Sequence, residues 1–157
     1  TQAISEFVNQ WVGGIERLRW AQMDKPLRAA GSGSGARTPD YPRTASGSTL
    51  PAWAATWGGL RSLTTLPAHA HIPAAGEALV PLEMYLRGKG LNPLADKLRQ
   101  ATDKVDASMA QVQKSGLQNK AAIQQTARDL AALKFLAESE VAPALQVSIG
   151  FSDADGD

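Results

Sequence analysis

The chain has no cysteine, only two histidines, and no apolar run approaching the about 18 residues that a membrane-spanning helix needs. Without cysteine, disulfides, thiolate metal sites and cysteine nucleophiles are excluded together, while the compartment stays open, because cysteine-poor proteins occur in both cytosol and periplasm. Charge of one sign is also missing: 16 Lys and Arg stand against 15 Asp and Glu, a net +1 with both signs interspersed. No broad or local basic surface is available for a phosphate backbone, so no nucleic-acid partner is expected. Residue 1 is Thr, and no charged segment followed by a short apolar one opens the chain. The reading is a processed or excised chain whose secretory signal, if it had one, is already removed. Period-two alternation of β-branched residues is absent too, which excludes a sheet.

What is present is enough apolar material, 43% of 157 residues, for one packed domain or one lobe of a larger protein. Ile4, Phe7, Val8, Trp11, Val12, Ile15 and Leu18 fall on one stripe of a 3.6-residue helix. Pro26 removes a backbone donor and disfavours helical angles before it, so this first helix is expected to end near Asp24. Gly13 and Gly14 inside it cost roughly 1 kcal/mol each relative to Ala and point to a close helix contact. Residues 25–49, rich in Gly, Ser, Pro, Thr and Arg, read as one long loop with GSGSG at its tip. Its glycines lack the G-x-x-x-x-G-K-[ST] order of a phosphate loop.

Helical spacing returns from Leu50 to about Thr65, anchored by Trp53 and Trp57 one turn apart, with Ser48 or Thr49 as cap. A shorter helix is expected over 77–88. Asn92 before Pro93, with Leu94, Leu98, Ala101, Val105, Met109 and Val112, marks a long helix that Gly116 closes. Asn119 caps the next, on which Ile123, Ala127, Leu130, Leu133, Leu136 and Val141 form a stripe. The expected fold is all-α: an antiparallel helical bundle of four principal helices plus one short helix, with a long Gly/Ser/Pro-rich loop, over 1–157 as a single bundle.

Few residues offer chemistry. His69 and His71, with Glu77 downstream, are a weak candidate for zinc or iron, because H-x-H in a loop lacks the i, i+4 helical presentation of a metallopeptidase motif. Asp153, Asp155 and Asp157 alternate at the C-terminus, yet the glycine falls one residue too early for an EF-hand loop and no bidentate Glu follows. Asp40, Arg43, Ser46 and Ser48 place a carboxylate, a guanidinium and two hydroxyls in one loop, suited to an anion or polar ligand. Nothing positions a base for a serine nucleophile, and no catalytic residue is assigned.

Four passages resemble the imelysin-like family of bacterial cell-envelope proteins, linked to iron regulation and historically classed among metallopeptidases. Gln22-Met23-Asp24-Lys25-Pro26-Leu27 is similar to that family's K-x-x-x-PLG turn, and Ser46-Gly47-Ser48-Thr49-Leu50 to its S-G-[NH]-S-L loop. A tryptophan-bearing helix follows, and the ending Ile149-Gly150-Phe151-Ser152-Asp153-Ala154-Asp155-Gly156-Asp157 is similar to its GF-x-x-x-DGD terminus. The resemblance covers the C-terminal half of a two-bundle protein. It implies a periplasmic or cell-envelope location and a partner in an N-terminal helical half that carries G-x-H-x-x-E, a spacing absent here. It also implies a binding site between the halves, to which Asp40, Arg43, Ser46, Ser48, Asp153, Asp155 and Asp157 would contribute by position. Iron or zinc would be held mainly by the other half, a further envelope partner in iron uptake fits the same picture, and an apolar face would be covered by that half. Leu27-Arg28 departs from PLG, and Asp40-Tyr41-Pro42 replaces the family's glutamate-serine. Three functions follow: an envelope binding protein in iron or haem acquisition, with enzymatic activity unassigned; a metallopeptidase; or a structural or partner-binding bundle.

Overall fold

In the computed structural model, residues 2–65 and 80–150 are described, and the regular structure among them is helical. The first helix, α1 (Gln2–Glu16), runs without a break into a π-helical stretch over Arg17–Asp24 and then α2 (Lys25–Ala30). It does not end near Asp24. The amide of Lys25 donates to the carbonyl of Trp20, five residues back, and this wider turn relieves the clash that a proline ring makes with the carbonyl four residues before it. Pro26 then sits in the first turn of α2, where its missing donor costs nothing. The same device recurs at the far end of the chain: α6 (Lys120–Leu136) passes through a π-helical stretch over Ala137–Val141, with Ala142 N donating to Ala137 O, before Pro143. The short helix over Ala142–Ala144 follows as α7.

Between these lie α3 (Thr49–Thr64), α4 (Leu82–Gly88) and α5 (Asn92–Ser115). The loop joining α2 to α3 is therefore shorter than expected, 31–48, and holds two 3-10 turns, Gly33–Gly35 and Thr44–Ser46. Helix α4 begins at Leu82; the earlier part of the helix expected over 77–88 lies outside the described residues as far as residue 79.

Helices α5 and α6 form the hairpin that the spacing predicts. Gly116 adopts φ 85, and Asn119 accepts from Ala122 N through its side chain at 3.1 Å. Leu91 rather than Asn92 occupies the cap position of α5. The core runs along this hairpin through Leu98, Val105, Val112, Ile123, Leu130 and Leu133, all fully buried, and meets Val8, Trp11, Ile15, Leu18 and Met23 of the first helix. Helix α3 lies against α1 and α5. Trp11 Nε1 donates to Thr64 Oγ1 at 2.8 Å, while Asp106 accepts from Trp57 Nε1 at 2.7 Å and Arg61 Nε at 2.5 Å. The indole donors of Trp11 and Trp57 are thereby satisfied.

Gly14 explains how close α1 and α3 come. A Cβ there would meet Leu60 Cδ2 at 2.6 Å, so any larger residue would require the Leu60 side chain to shift. The expected close approach is made at Gly14. Among the described residues, the large apolar side chains left exposed are Val80 and Phe135.

Candidate cationic groove

Two concavities flank an edge-to-face pair formed by Tyr41 and Trp53, whose ring centroids lie 5.3 Å apart at 89°. On the Trp53 side, a groove of about 460 Å³ runs between the π-helical stretch of the first helix and α3. Gly14, Arg17, Leu18 and Gln22 form one wall, and Trp53, Thr56, Gly59, Leu60 and Leu63 the other, with Arg43 reaching in from the loop. The walls are mainly apolar and carry two guanidinium groups. Neither Arg17 nor Arg43 has an ion pair or side-chain hydrogen bond among the described residues, whereas Arg19, Arg61 and Arg87 are each held by a carboxylate. Trp53 Nε1 is buried without an acceptor.

The local fold explains why these groups stand here. Arg17 runs beside Gly13, where a Cβ would lie in ordinary contact, 3.4 Å from Arg17 Nη1. Arg43 adopts φ 65, a left-handed conformation that costs a non-glycine residue about 1–2 kcal/mol. Three donors hold it. Its carbonyl accepts from Ser46 N at 3.2 Å, Ser48 N at 3.3 Å and Ser46 Oγ at 3.1 Å, and the Ser46 and Ser48 hydroxyls lie 2.6 Å apart. Thr49 Oγ1 donates to Pro42 O at 2.7 Å and closes the turn.

These contacts revise the expected roles. Of the loop candidates, Arg43 lines the groove; Asp40, Ser46 and Ser48 do not. The serines hold the turn that presents Arg43. Ser48 sits at the cap position of α3 without a capping hydrogen bond from its side chain, because its hydroxyl faces Ser46, and Thr49 belongs to the helix. His69, His71, Glu77, Asp153, Asp155 and Asp157 lie outside the described residues. Among the described residues, no group of three His, Asp or Glu side chains converges as a metal site would require. Arg17, Gln22 and Thr56 were not singled out from the sequence. Their signal is indirect: Gly14 marks the close approach to α3, and polar residues beside a crossing border whatever space it leaves.

On the Tyr41 side, a second cavity of about 440 Å³ lies between the loop and the α5–α6 turn, lined by Arg37, Thr38, Thr44, Gln118 and Lys120 among others. Lys120 Nζ donates to Arg37 O at 3.4 Å. Burial pushes the Tyr41 phenol up to about 12, so it stays protonated at neutral pH; its hydroxyl has no partner.

Among the described residues, the most buried carboxylate lies elsewhere. Glu83 of α4 accepts from Arg99 Nε and Nη2, both at 2.7 Å, and from Arg87 Nη2 at 3.0 Å. Burial alone would raise its pKa, but the hydrogen bonds from Arg99 and Arg87 outweigh that and hold it below the ordinary value. This cluster joins α4 to α5.

The fold and groove define a class, an all-helical bundle with an arginine-flanked apolar groove. Comparison with family models, curated proteins and solved structures finds no match to the chain.

Proposed function

We propose that the protein is an imelysin-like cell-envelope protein linked to iron or haem acquisition, in which this bundle completes a binding site shared with an N-terminal helical half. The supporting observation is the order of the four similar passages on an all-helical chain: a helix leading into Pro26-Leu27, the Ser46-to-Leu50 turn at the start of α3, the Trp53 and Trp57 helix, and the GF-to-DGD ending. In this reading the loop around Arg43 contributes binding groups, the metal is iron or zinc held mainly by the other half, and the location is periplasmic.

The coding sequence on the N-terminal side of Thr1 tests the proposal. A secretion signal followed by a helical half bearing G-x-H-x-x-E is the expected result; a gene encoding neither overturns it. The whole protein so encoded is expected to bind iron(III), zinc(II) or haemin in a titration.

One observation favours a second reading. Among the described residues the large exposed apolar side chains are Val80 and Phe135, which suits a structural or partner-binding bundle with no small-molecule site. The metallopeptidase reading gains no such support, since no three His, Asp or Glu side chains converge among the described residues to hold a metal.

A further inference from the structure

We propose that the face of α1 around Asn9 is a receptor for the segment over residues 147–150, and that two copies of the chain exchange this segment. Burial alternates from Leu145 onward: Leu145 and Val147 are buried and Ile149 is half-buried, while Gln146, Ser148 and Gly150 are exposed. Apolar side chains two residues apart are what an extended strap laid against a surface requires. Helix α1 meets this strap with Asn9. Its Nδ2 donates to Ser148 O at 3.0 Å and its Oδ1 accepts from Gly150 N at 2.9 Å, so the side-chain amide pairs with the main chain as a neighbouring strand would. The other Nδ2 hydrogen goes to Ser5 O, one turn back at 2.8 Å, which fixes the amide in this orientation. A second copy carries the same strap and the same Asn9, and is therefore the occupant that this face is known to fit.

The hinge favours exchange. Gln146 joins the end of α7 to the strap with φ 56, a left-handed conformation that strains any residue but glycine. Its amide donates to Pro143 O at 3.1 Å and that of Val147 to Ala142 O at 2.8 Å, the bonding that closes a helix end. An opened chain continues through Gln146 at ordinary angles, and a short hinge under strain invites exchange between copies. Opening uncovers only Val147 and Ile149, far less than global unfolding does. Once the strap is seated, its contacts with Asn9 are the same within one copy or across two, so hinge strain and protein concentration decide between the arrangements. The exchange does not depend on the envelope-protein reading, and either can fail without the other.

Sedimentation velocity on two variants, alone and mixed, tests the exchange. Asn9→Ala removes the clamp and leaves its strap free, whereas Val147→Asp cannot seat its strap and leaves its Asn9 face empty. Each alone should be monomeric at about 100 µM, and their equimolar mixture should contain dimer, because the free strap of one meets the empty face of the other. Circular dichroism should show unchanged helix content in both; Ile149→Asp, on a half-buried residue further along the strap, replaces Val147→Asp if it does not. In the parent each strap competes for its own Asn9, so dimer should emerge only towards about 1 mM. Gln146→Gly, which removes the strain, should cut the parent's dimer fraction about tenfold, and Gln146→Val, whose branched side chain tolerates the left-handed region least, should raise it about tenfold. Phe135→Ser should change none of this, although Phe135 is the most exposed large apolar side chain among the described residues. A mixture that stays monomeric at about 1 mM overturns the proposal. So does a dimer that both Gln146 substitutions leave unchanged, or one that Phe135→Ser abolishes.

Discussion

The α5–α6 hairpin and the α1–α3 side of the bundle are built from the same kind of sequence and do opposite things with it. Along the hairpin, Leu98, Val105, Ile123 and Leu130 are fully buried, the connecting turn is closed by Gly116 and Asn119, and each helix keeps a regular stripe. Across α1 and α3, the first helix widens into a π-turn, Arg43 sits in a left-handed conformation, Trp53 has an unmet donor and two arginines lack partners. Regularity is kept where stability is made. Departures from it are more numerous on the α1–α3 side, though a second π-turn, Ala137–Val141, follows α6.

The comparison can be broken from the hairpin side first. Leu130→Ala removes a fully buried side chain from α6 and should lower unfolding free energy by about 2–5 kcal/mol in urea titration.

Glu83→Gln comes next. It leaves Arg87 and Arg99 without their shared anion, and because both arginines are about one-third exposed, the loss should be about 1–3 kcal/mol rather than that of a fully buried pair. The pH dependence follows from the direction of the shift. A folded-state pKa below the ordinary 4.5 means that the contribution of Glu83 is fully present above that value and is lost as pH falls through the folded pKa. The urea midpoint of the parent should therefore drop below about pH 4.5 more steeply than that of Glu83→Gln.

Glycine substitutions sharpen the contrast within the groove side. Gly14→Ala drives a methyl into Leu60 and should cost about 1–2 kcal/mol net of its better helix propensity. Gly59→Ala, with open space at its Cβ, should instead stabilise by about 0.5–1 kcal/mol. The smallest effect is expected at Arg43. Arg43→Gly relieves the left-handed strain and should hold or raise the melting temperature, by up to about 1 kcal/mol in stability, while removing one guanidinium from the groove.

Most of the fold was legible because helical stripes report burial directly. The α5–α6 hairpin, its glycine closure and its asparagine cap follow from spacing and turn chemistry, and Trp53 and Trp57 are the buried anchors of α3 that their one-turn spacing suggests. The first helix was misjudged at Pro26. The rule that a proline ends a helix assumes an α-helical ladder before it, and no residue pattern announces a π-turn. The groove was half legible for a related reason. Arg43 stands in a loop whose composition draws attention, but Arg17 lies on the polar side of an amphipathic helix, where an arginine that borders a cavity and one that faces bulk water look alike. Ser46 and Ser48, which composition marks as polar ligand groups, also supply the donors that fix the Arg43 turn, a role no spacing rule announces.

The π-turn carries a consequence of its own. Each residue of an α-helix advances the chain by about 100°, so a turn with one residue too many acts as a phase shift between Gln2–Glu16 and Lys25–Ala30. Deleting the exposed Ala21 would restore a single phase. Leu18, Met23, Leu27 and Ala30, all buried, would then follow one another at ordinary helical spacing on one face. The wide turn therefore lets the chain carry an additional residue while Leu27 and Ala30 stay on the core and the loop that begins at Gly31 leaves the helix on the same side.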